Sequence, residues 1–113
     1  MNDEQLLAFQ KLDVYRASKE LARRVEAARI RDAELRDQAT RAAKRVFLAT
    51  CEGLPNQSTA MRRKYFVMAD NSLHETVGAL DLAQAIGAVS QCNQAAIQQL
   101  AVKVHQMLRG LMR

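Results

Sequence analysis

The sequence predicts an all-α protein, folded as an antiparallel up-and-down four-helix bundle. One proline and four glycines among 113 residues leave few positions that interrupt a helix. Three Phe, two Tyr and no Trp supply few of the side chains that favour strands. Apolar residues recur at helical spacing in four successive segments, and four amphipathic helices with short connections bury their apolar faces most simply in such a bundle. With 49 % hydrophobic and 26 % charged residues, the chain lies outside the disordered class.

The first helix follows a short leading segment. Residues 1–11 are predicted to form a flexible, mainly polar N-terminal segment, and residues 12–113 the bundle domain. The helix is predicted over about 12–29, because small and apolar residues recur there every three or four positions, on one face. These residues are Val14, Ala17, Ser18, Leu21, Val25 and Ala28.

The second helix is predicted over about 33–52. Asp32 precedes it, and its carboxylate can accept a hydrogen bond from a free amide of the first turn. Gly53 and Pro55 are predicted to end the helix, because glycine tolerates the left-handed conformation that follows many helices and proline cannot continue one.

The third and fourth helices are predicted over about 59–86 and 90–112. Ser58 and Ser90 are candidate N-caps, and Gly87 marks the end of the third helix. Several positions of the third helix hold small residues, which let a neighbouring helix approach closely. They are Ala69, Ser72, Ala79 and Ala83.

Basic residues are the main functional signal. Seventeen Lys and Arg against twelve Asp and Glu give a net charge of +5, which is compatible with a polyanionic partner. A guanidinium group suits phosphate because it can donate two parallel hydrogen bonds. Two clusters are predicted to contact the phosphates of RNA or DNA: Arg41, Lys44 and Arg45 on the second helix, and Arg62, Arg63 and Lys64 at the start of the third.

Other readings of the basic residues stay open. Either cluster can instead be a solvated helix face. Arg23, Arg24 and Arg29 are further candidates, but cations are favoured at the end of a helix by its dipole, without any ligand. Because few aromatic residues are present to stack on bases, nucleic-acid binding would depend on the backbone and on salt.

No catalytic, metal or cofactor site is predicted. His74 and His105 are expected to lie far apart, and neither is expected to have a His, Cys or Asp at ligand spacing on its own helical face. Cys51 lies near the end of a helix, where the dipole raises the pKa of a thiol and lowers its reactivity. A small-molecule enzyme would need a pocket lined by Glu75, Gln38 and His74.

Two further features concern packing. Glu75 lies near the apolar ridge of the third helix, and we expect it to form a structural polar tie with Gln38 or Arg41. Extra apolar side chains suggest either self-association or a wide core face. They are Phe47, Leu48, Leu54 and Val77.

The chain is expected to be cytoplasmic and not membrane-bound. Its start, Met1 to Glu4, lacks the basic and apolar pattern of a signal peptide, and no apolar run reaches the length of a membrane helix. Cys51 and Cys92 do not form a C-x-x-C motif, so reduced thiols are expected.

Several segments carry motifs that occur together in one bacterial family. The run FQKLDVYRA at 9–17 matches the start F-x-x-L-x-V-[WY], and QATRAA at 38–43 is similar to Q-L-R-R-A-A. The later segments are CEG at 51–53 against A-E-G, ADNSLHE at 69–75 against A-x-G-S-L-x-E, and LDLA with IG over 80–87. In these segments the chain resembles the bacterial four helix bundle protein family, which includes proteins encoded in intervening sequences of the large ribosomal RNA gene. The resemblance spans about 9–90 with matching spacing. The chain departs from the family at Phe47, Ala49-Thr50 and Asn71.

The resemblance implies a ring-shaped homopentamer of basic four-helix bundles without established catalytic activity. It also implies a relation to accessory factors of diversity-generating retroelements, which bind a reverse transcriptase and nucleic acid. The sequence therefore predicts a non-enzymatic homo-oligomer that binds RNA or DNA backbone. The alternative is a protein–protein adaptor that docks a partner such as a reverse transcriptase.

Overall fold

Four α-helices make up most of the chain in the computed structural model, which describes residues 2–113 and omits the side chain of Asp3. They are α1 (Asp13–Ala27), α2 (Ala33–Gly53), α3 (Thr59–Ala85) and α4 (Gln91–Leu111). The bounds agree with the predicted ones to within two residues. Short 3₁₀ helices at Asp3–Gln5 and Ala8–Lys11 occupy the segment predicted to be flexible. The all-α fold is confirmed, and no strand occurs in residues 2–113.

The predicted helix starts have the predicted caps. The Asp32 carboxylate accepts a hydrogen bond from the Leu35 amide at 2.9 Å, and the hydroxyl oxygens of Ser58 and Ser90 accept equivalent bonds. Gly87, with φ +78°, leaves α3 in the left-handed conformation that glycine adopts without strain. Arg29 adopts the same region, with φ +48°, after α1, and a non-glycine residue is less stable there.

The up-and-down topology follows from the contacts between connections. The Arg31 amide donates to the Ala88 carbonyl at 2.9 Å, so the α1–α2 and α3–α4 connections lie at one end of the bundle. Arg63, at the start of α3, donates to the Met112 carbonyl after α4, which lies at the other end. Each helix packs against its two neighbours in the order of the chain, with α1 beside α4.

The core is narrowest between α2 and α3. These two helices pack more closely than any other pair because small side chains line both faces. On α2 the fully buried positions include Ala39, Ala42 and Ala43, and on α3 they include Ala69 and Ala83. Larger apolar side chains fill the wider spaces near α1 and α4, among them Leu21, Ile30, Leu80 and Leu108.

Gly53 has a different role from the predicted one. It is the last residue of α2, and the helical conformation continues into Leu54, with φ −57° and ψ −47°. A Cβ atom on Gly53 would lie 2.7 Å from Cε1 of Phe66, whose side chain is fully buried. The glycine is therefore required by the close approach of α3, and the prediction of a left-handed helix end at this residue is wrong.

The extra apolar residues divide between core and surface. Leu54 is buried, and the Phe47 ring packs on the Tyr15 ring at 5.2 Å. Leu48 remains 56 % exposed. None of the described helices combines the length and the hydropathy that crossing a bilayer requires.

Candidate nucleic-acid interface

The basic cluster on α2 projects from its outer face. Arg41, Lys44 and Arg45 are all exposed, because they lie opposite the alanine face that packs on α3. Arg45 donates to the Glu75 carboxylate at 3.0 Å. Arg41 and Lys44 form no ion pair with any side chain that the structure describes. Two of the three predicted contacts are thus free cations, and the third is partly neutralised.

The tie predicted for Glu75 involves a different residue. Its partner is Arg45, one helical turn beyond Arg41 and two beyond Gln38. Gly53 on α2 lies against Phe66 on α3, so the numbers of facing residues add up to about 120, and this register brings Glu75 beside Arg45. The expected contact with Arg41 or Gln38 is therefore corrected. The side chain of Glu75 is 44 % exposed, so this is a surface ion pair.

The cluster at the start of α3 is mostly engaged with backbone. Arg62 donates to the carbonyls of Gly53 and Leu54, which end α2, and its guanidinium lies 5.3 Å from the centre of the Phe66 ring. Arg63 donates to the Met112 carbonyl at 2.9 Å, at the end of α4. Each arginine thus satisfies carbonyls that have no partner inside their own helix.

Lys64 completes that cluster and differs from its two neighbours. It is exposed and has no ion-pair partner among the side chains of the described region. The same end of the bundle also holds Arg109, in the last turn of α4. Because α4 contains no acidic residue, its basic side chains add to this positive region.

The arginines of α1 are partly neutralised. Arg23 and Arg24 both donate to the Glu20 carboxylate, and these hydrogen bonds lower the pKa of Glu20 from 4.5 to about 2. The bond to Glu20 also raises the pKa of Arg23. Farther along, Arg29 lines a shallow groove between α1 and α2 together with Arg23 and Arg36. The structure therefore brings together basic residues from both helices, as their adjacent ends require.

The side chains considered for catalysis do not form one pocket. Glu75, Gln38 and His74 are all exposed, and Glu75 faces α2 whereas His74 faces a groove between α3 and α4. Adjacent helical residues diverge by about 100°, which separates His74 from Glu75. Burial, and then the charge of Glu52, raise the pKa of the Cys51 thiol, so the predicted direction is present but its main cause is burial.

The two histidines lie close together, contrary to the prediction. Their ring centres are 5.6 Å apart, and the Asp70 carboxylate lies near both rings. The Nδ1 atom of His105 is 2.6 Å from the Asp70 carboxylate, and Nδ1 of His74 is 3.9 Å from it. Asp70 precedes His74 by four residues, which is a ligand spacing on one helical face that the sequence reading missed.

Over residues 10–110 the chain matches the family described as 23S rRNA-intervening sequence protein. The chain belongs to this family. Its description names an origin in a ribosomal RNA gene and no catalytic activity. No curated protein matches the chain.

The segments that resemble the intervening-sequence protein family serve packing in this member. Ala69 and Leu73 are almost fully buried, Ser72 is 8 % exposed, and all three face the core from α3. Thr50, at one of the departures, is fully buried and donates to the Val46 carbonyl. These shared positions therefore account for the fold, whereas the exposed cations account for the surface charge.

Proposed function

We propose that this member of the intervening-sequence protein family is a non-enzymatic protein that binds the phosphate backbone of RNA or DNA. One observation carries the proposal. Among the side chains that the structure describes, four of the seventeen lysines and arginines take part in ion pairs with a carboxylate. The remaining cations have no carboxylate partner there, and those that are also free of carbonyl contacts can bind phosphate groups, which the release of counterions around a nucleic acid favours.

The free cations are the expected contacts. Arg41, Lys44 and Lys64 combine exposure with the lack of a carboxylate partner in the described part of the chain. Arg45 can contact phosphate by exchanging its surface pair with Glu75, which costs little because exposed pairs contribute at most about 1 kcal/mol. Arg63 uses one guanidinium nitrogen for its carbonyl bond, so its other nitrogens can donate to phosphate.

Arg62 is expected to have a structural role first. It is half-buried, and its guanidinium is held by two carbonyls and the face of an aromatic ring. A residue fixed in this way orders the α2–α3 connection and leaves few donors for a ligand.

Binding is expected not to depend on base sequence. The Phe and Tyr side chains of the described residues are buried or half-buried, so the surface offers no exposed phenyl or phenol ring on which bases could stack. Guanidinium groups on a helix face recognise the spacing and charge of phosphates, which do not vary with base sequence.

A charge-matched pair of variants tests the proposal. Arg41→Gln with Lys44→Gln removes two free cations, whereas the control, Arg16→Gln with Lys19→Gln, removes two exposed cations of α1. Affinity for a generic single-stranded RNA is measured by fluorescence anisotropy at several salt concentrations. The first pair should weaken binding and reduce the slope of log K against log salt by about 1.4, if each contact contributes about 0.7. The control should reduce it less.

Two results would refute this proposal. A wild-type affinity that does not change with salt would exclude backbone binding. Equal losses in both variant pairs would show that total charge, and not the α2 cluster, determines binding.

We further propose that the bundle is a homo-oligomer, with five copies as the resemblance to the family implies. Exposed apolar side chains support self-association, because their burial in an interface would remove apolar surface from water: Leu48, Leu82 and Ile86 are each more than half exposed. Light scattering measures the mass directly. A monomer of 12.7 kDa at micromolar concentration would contradict it.

The same apolar side chains favour the second candidate function, an adaptor that docks a protein such as a reverse transcriptase. Purification from native cytosol with and without nuclease distinguishes the two functions. A protein partner retained after nuclease treatment favours the adaptor, whereas loss of all partners favours nucleic-acid binding.

A further inference from the structure

The only two histidines of the chain lie at one place in the bundle. His74 on α3 and His105 on α4 are 31 positions apart in the sequence, yet their rings meet edge to face with centres 5.6 Å apart. Asp70 is one turn before His74 on the same face of α3. One ligand atom from each of the three residues lies within 4.8 Å of the other two.

The packing of α3 on α4 fixes this arrangement. The side chain of Asp70 is 15 % exposed, and its Oδ1 atom is 2.6 Å from Nδ1 of His105. A second polar contact between the helices, from Gln94 Nε2 to Asp81 Oδ1 at 2.8 Å, has the same register. In both pairs the residue numbers add up to 175, as an antiparallel hairpin requires. The three groups are therefore held together by two long, well-packed helices.

The surroundings of the Asp70 carboxylate favour a bound cation. Its carboxylate is largely buried, and in the described region it has no lysine or arginine partner, only the two imidazole rings. A buried carboxylate is stable when it is paired with a positive charge or coordinates a metal ion. A divalent ion bound between the carboxylate and the two imidazole rings would supply that charge.

We propose that Asp70, His74 and His105 form a binding site for a divalent transition-metal ion of the zinc type. Two imidazole nitrogens and one carboxylate are ligands that Zn²⁺ prefers, at about 2.0–2.2 Å. Tetrahedral bonds of that length separate neighbouring ligand atoms by about 3.3 Å. The 2.6 Å and 3.9 Å separations from the Asp70 carboxylate lie on either side of this value. Metal binding would replace the hydrogen bond between His105 Nδ1 and that carboxylate, and His74 would either use Nε2 or give up the 2.7 Å contact of its Nδ1 with the Asp70 carbonyl.

The fourth coordination position would face outward. Next to the histidines is a groove between α3 and α4 with mainly apolar walls, including Leu73, Val77 and Val102, and with Gln98 as a polar side chain. Three protein ligands with an open position leave room for water or for a ligand from outside the chain. The site is separate from the basic residues of α2, because α3 lies between them.

Metal titration tests the site directly. The metal-free protein, with Cys51→Ser and Cys92→Ser so that thiols do not compete, is titrated with ZnCl₂ by calorimetry and with Co²⁺ by visible absorption. We expect one ion per chain, the d–d bands of a tetrahedral Co²⁺ site, and a Tm that rises with metal concentration. His74→Ala should lower the affinity on the order of 100-fold or more, because even second-shell partners of metal ligands cost 10- to 100-fold.

The control keeps the packing of α3 on α4 and spares the ligands. Asp81→Asn alters the other carboxylate of α3 that contacts α4, and it should bind metal as the unsubstituted protein does. The side chain of His74 is 68 % exposed, so His74→Ala is expected to fold, which circular dichroism checks. Absence of Co²⁺ bands, or equal Zn²⁺ affinity in His74→Ala and Asp81→Asn, would overturn the proposal.

Discussion

Two glycine-to-alanine substitutions of opposite sign test the close packing of α2 on α3. In Gly53→Ala the new methyl carbon would lie 2.7 Å from Cε1 and 2.9 Å from Cδ1 of Phe66, and 3.2 Å from Cβ of Tyr65. Favourable carbon contacts begin at about 3.5 Å, so the fully buried Phe66 ring must move by roughly 0.8 Å. Overpacking of this kind costs about 1–3 kcal/mol. Alanine gains at most about 1 kcal/mol in helix propensity, so with the full gain a net loss of up to about 2 kcal/mol is expected.

Gly78→Ala is the matched control, because it isolates the propensity gain. Gly78 lies inside α3, is exposed, and has no atom within 4 Å of the added Cβ. This variant should therefore be stabilised by about 0.5–1 kcal/mol. Urea unfolding followed by circular dichroism gives both values. Equal stabilisation of the two variants would refute the close approach at Gly53.

Three further predictions concern single side chains. Arg62→Met should lower the free energy of unfolding by about 1.5 kcal/mol, because the carbonyls that end α2 lose a charged donor. The control Lys64→Met should change that free energy by less than about 0.5 kcal/mol, and urea unfolding measures both variants. The pKa of Glu20 in the folded protein is about 2, so its contribution to the free energy of unfolding is complete above pH 4.5 and is lost as the pH falls towards 2. The urea midpoint of Glu20→Gln should therefore decline less over that pH range than the midpoint of the unsubstituted protein. Iodoacetamide should alkylate exposed Cys92 before Cys51, whose thiol pKa is raised by burial, as mass spectrometry at pH 7 would show. The reverse order would contradict the burial of Cys51.

Helix positions could be predicted from sequence because their signals are local. Asp32, Ser58 and Ser90 each accept a hydrogen bond from an amide three residues later, so the cap and its partner lie in the same short segment. The left-handed conformation at Gly87 likewise depends on the identity of that residue alone. Gly53 differs because its reason is Phe66, which approaches from the next helix. A local rule identified the right residue for the wrong cause.

Side-chain partners could not be predicted because they depend on the register between helices. The sequence indicates that Glu75 faces α2, but a shift of one turn decides between Arg41 and Arg45. For the basic residues the difficulty is greater, since Arg62 and Arg63 bind carbonyls of other segments that no charge pattern reveals. Clusters of like charge in the sequence therefore overstate the number of free cations.

The register also separates the two proposed sites on α3. Residues 74 and 75 are neighbours in sequence but point about 100° apart, so His74 lies with the α4 residue His105 and Glu75 with the α2 residue Arg45. The Asp70–His105 pair could have been found from sequence by reflecting α3 onto α4 about their connection, since residues equally far from it meet. Reflection about the centre of the α2–α3 connection, residue 56, would instead place Glu75 opposite residue 37, so the Arg45–Glu75 pair could not have been found in this way. The proposed metal site on one face of α3 and the proposed phosphate contacts on the other thus involve different neighbouring helices, and they share no side chain.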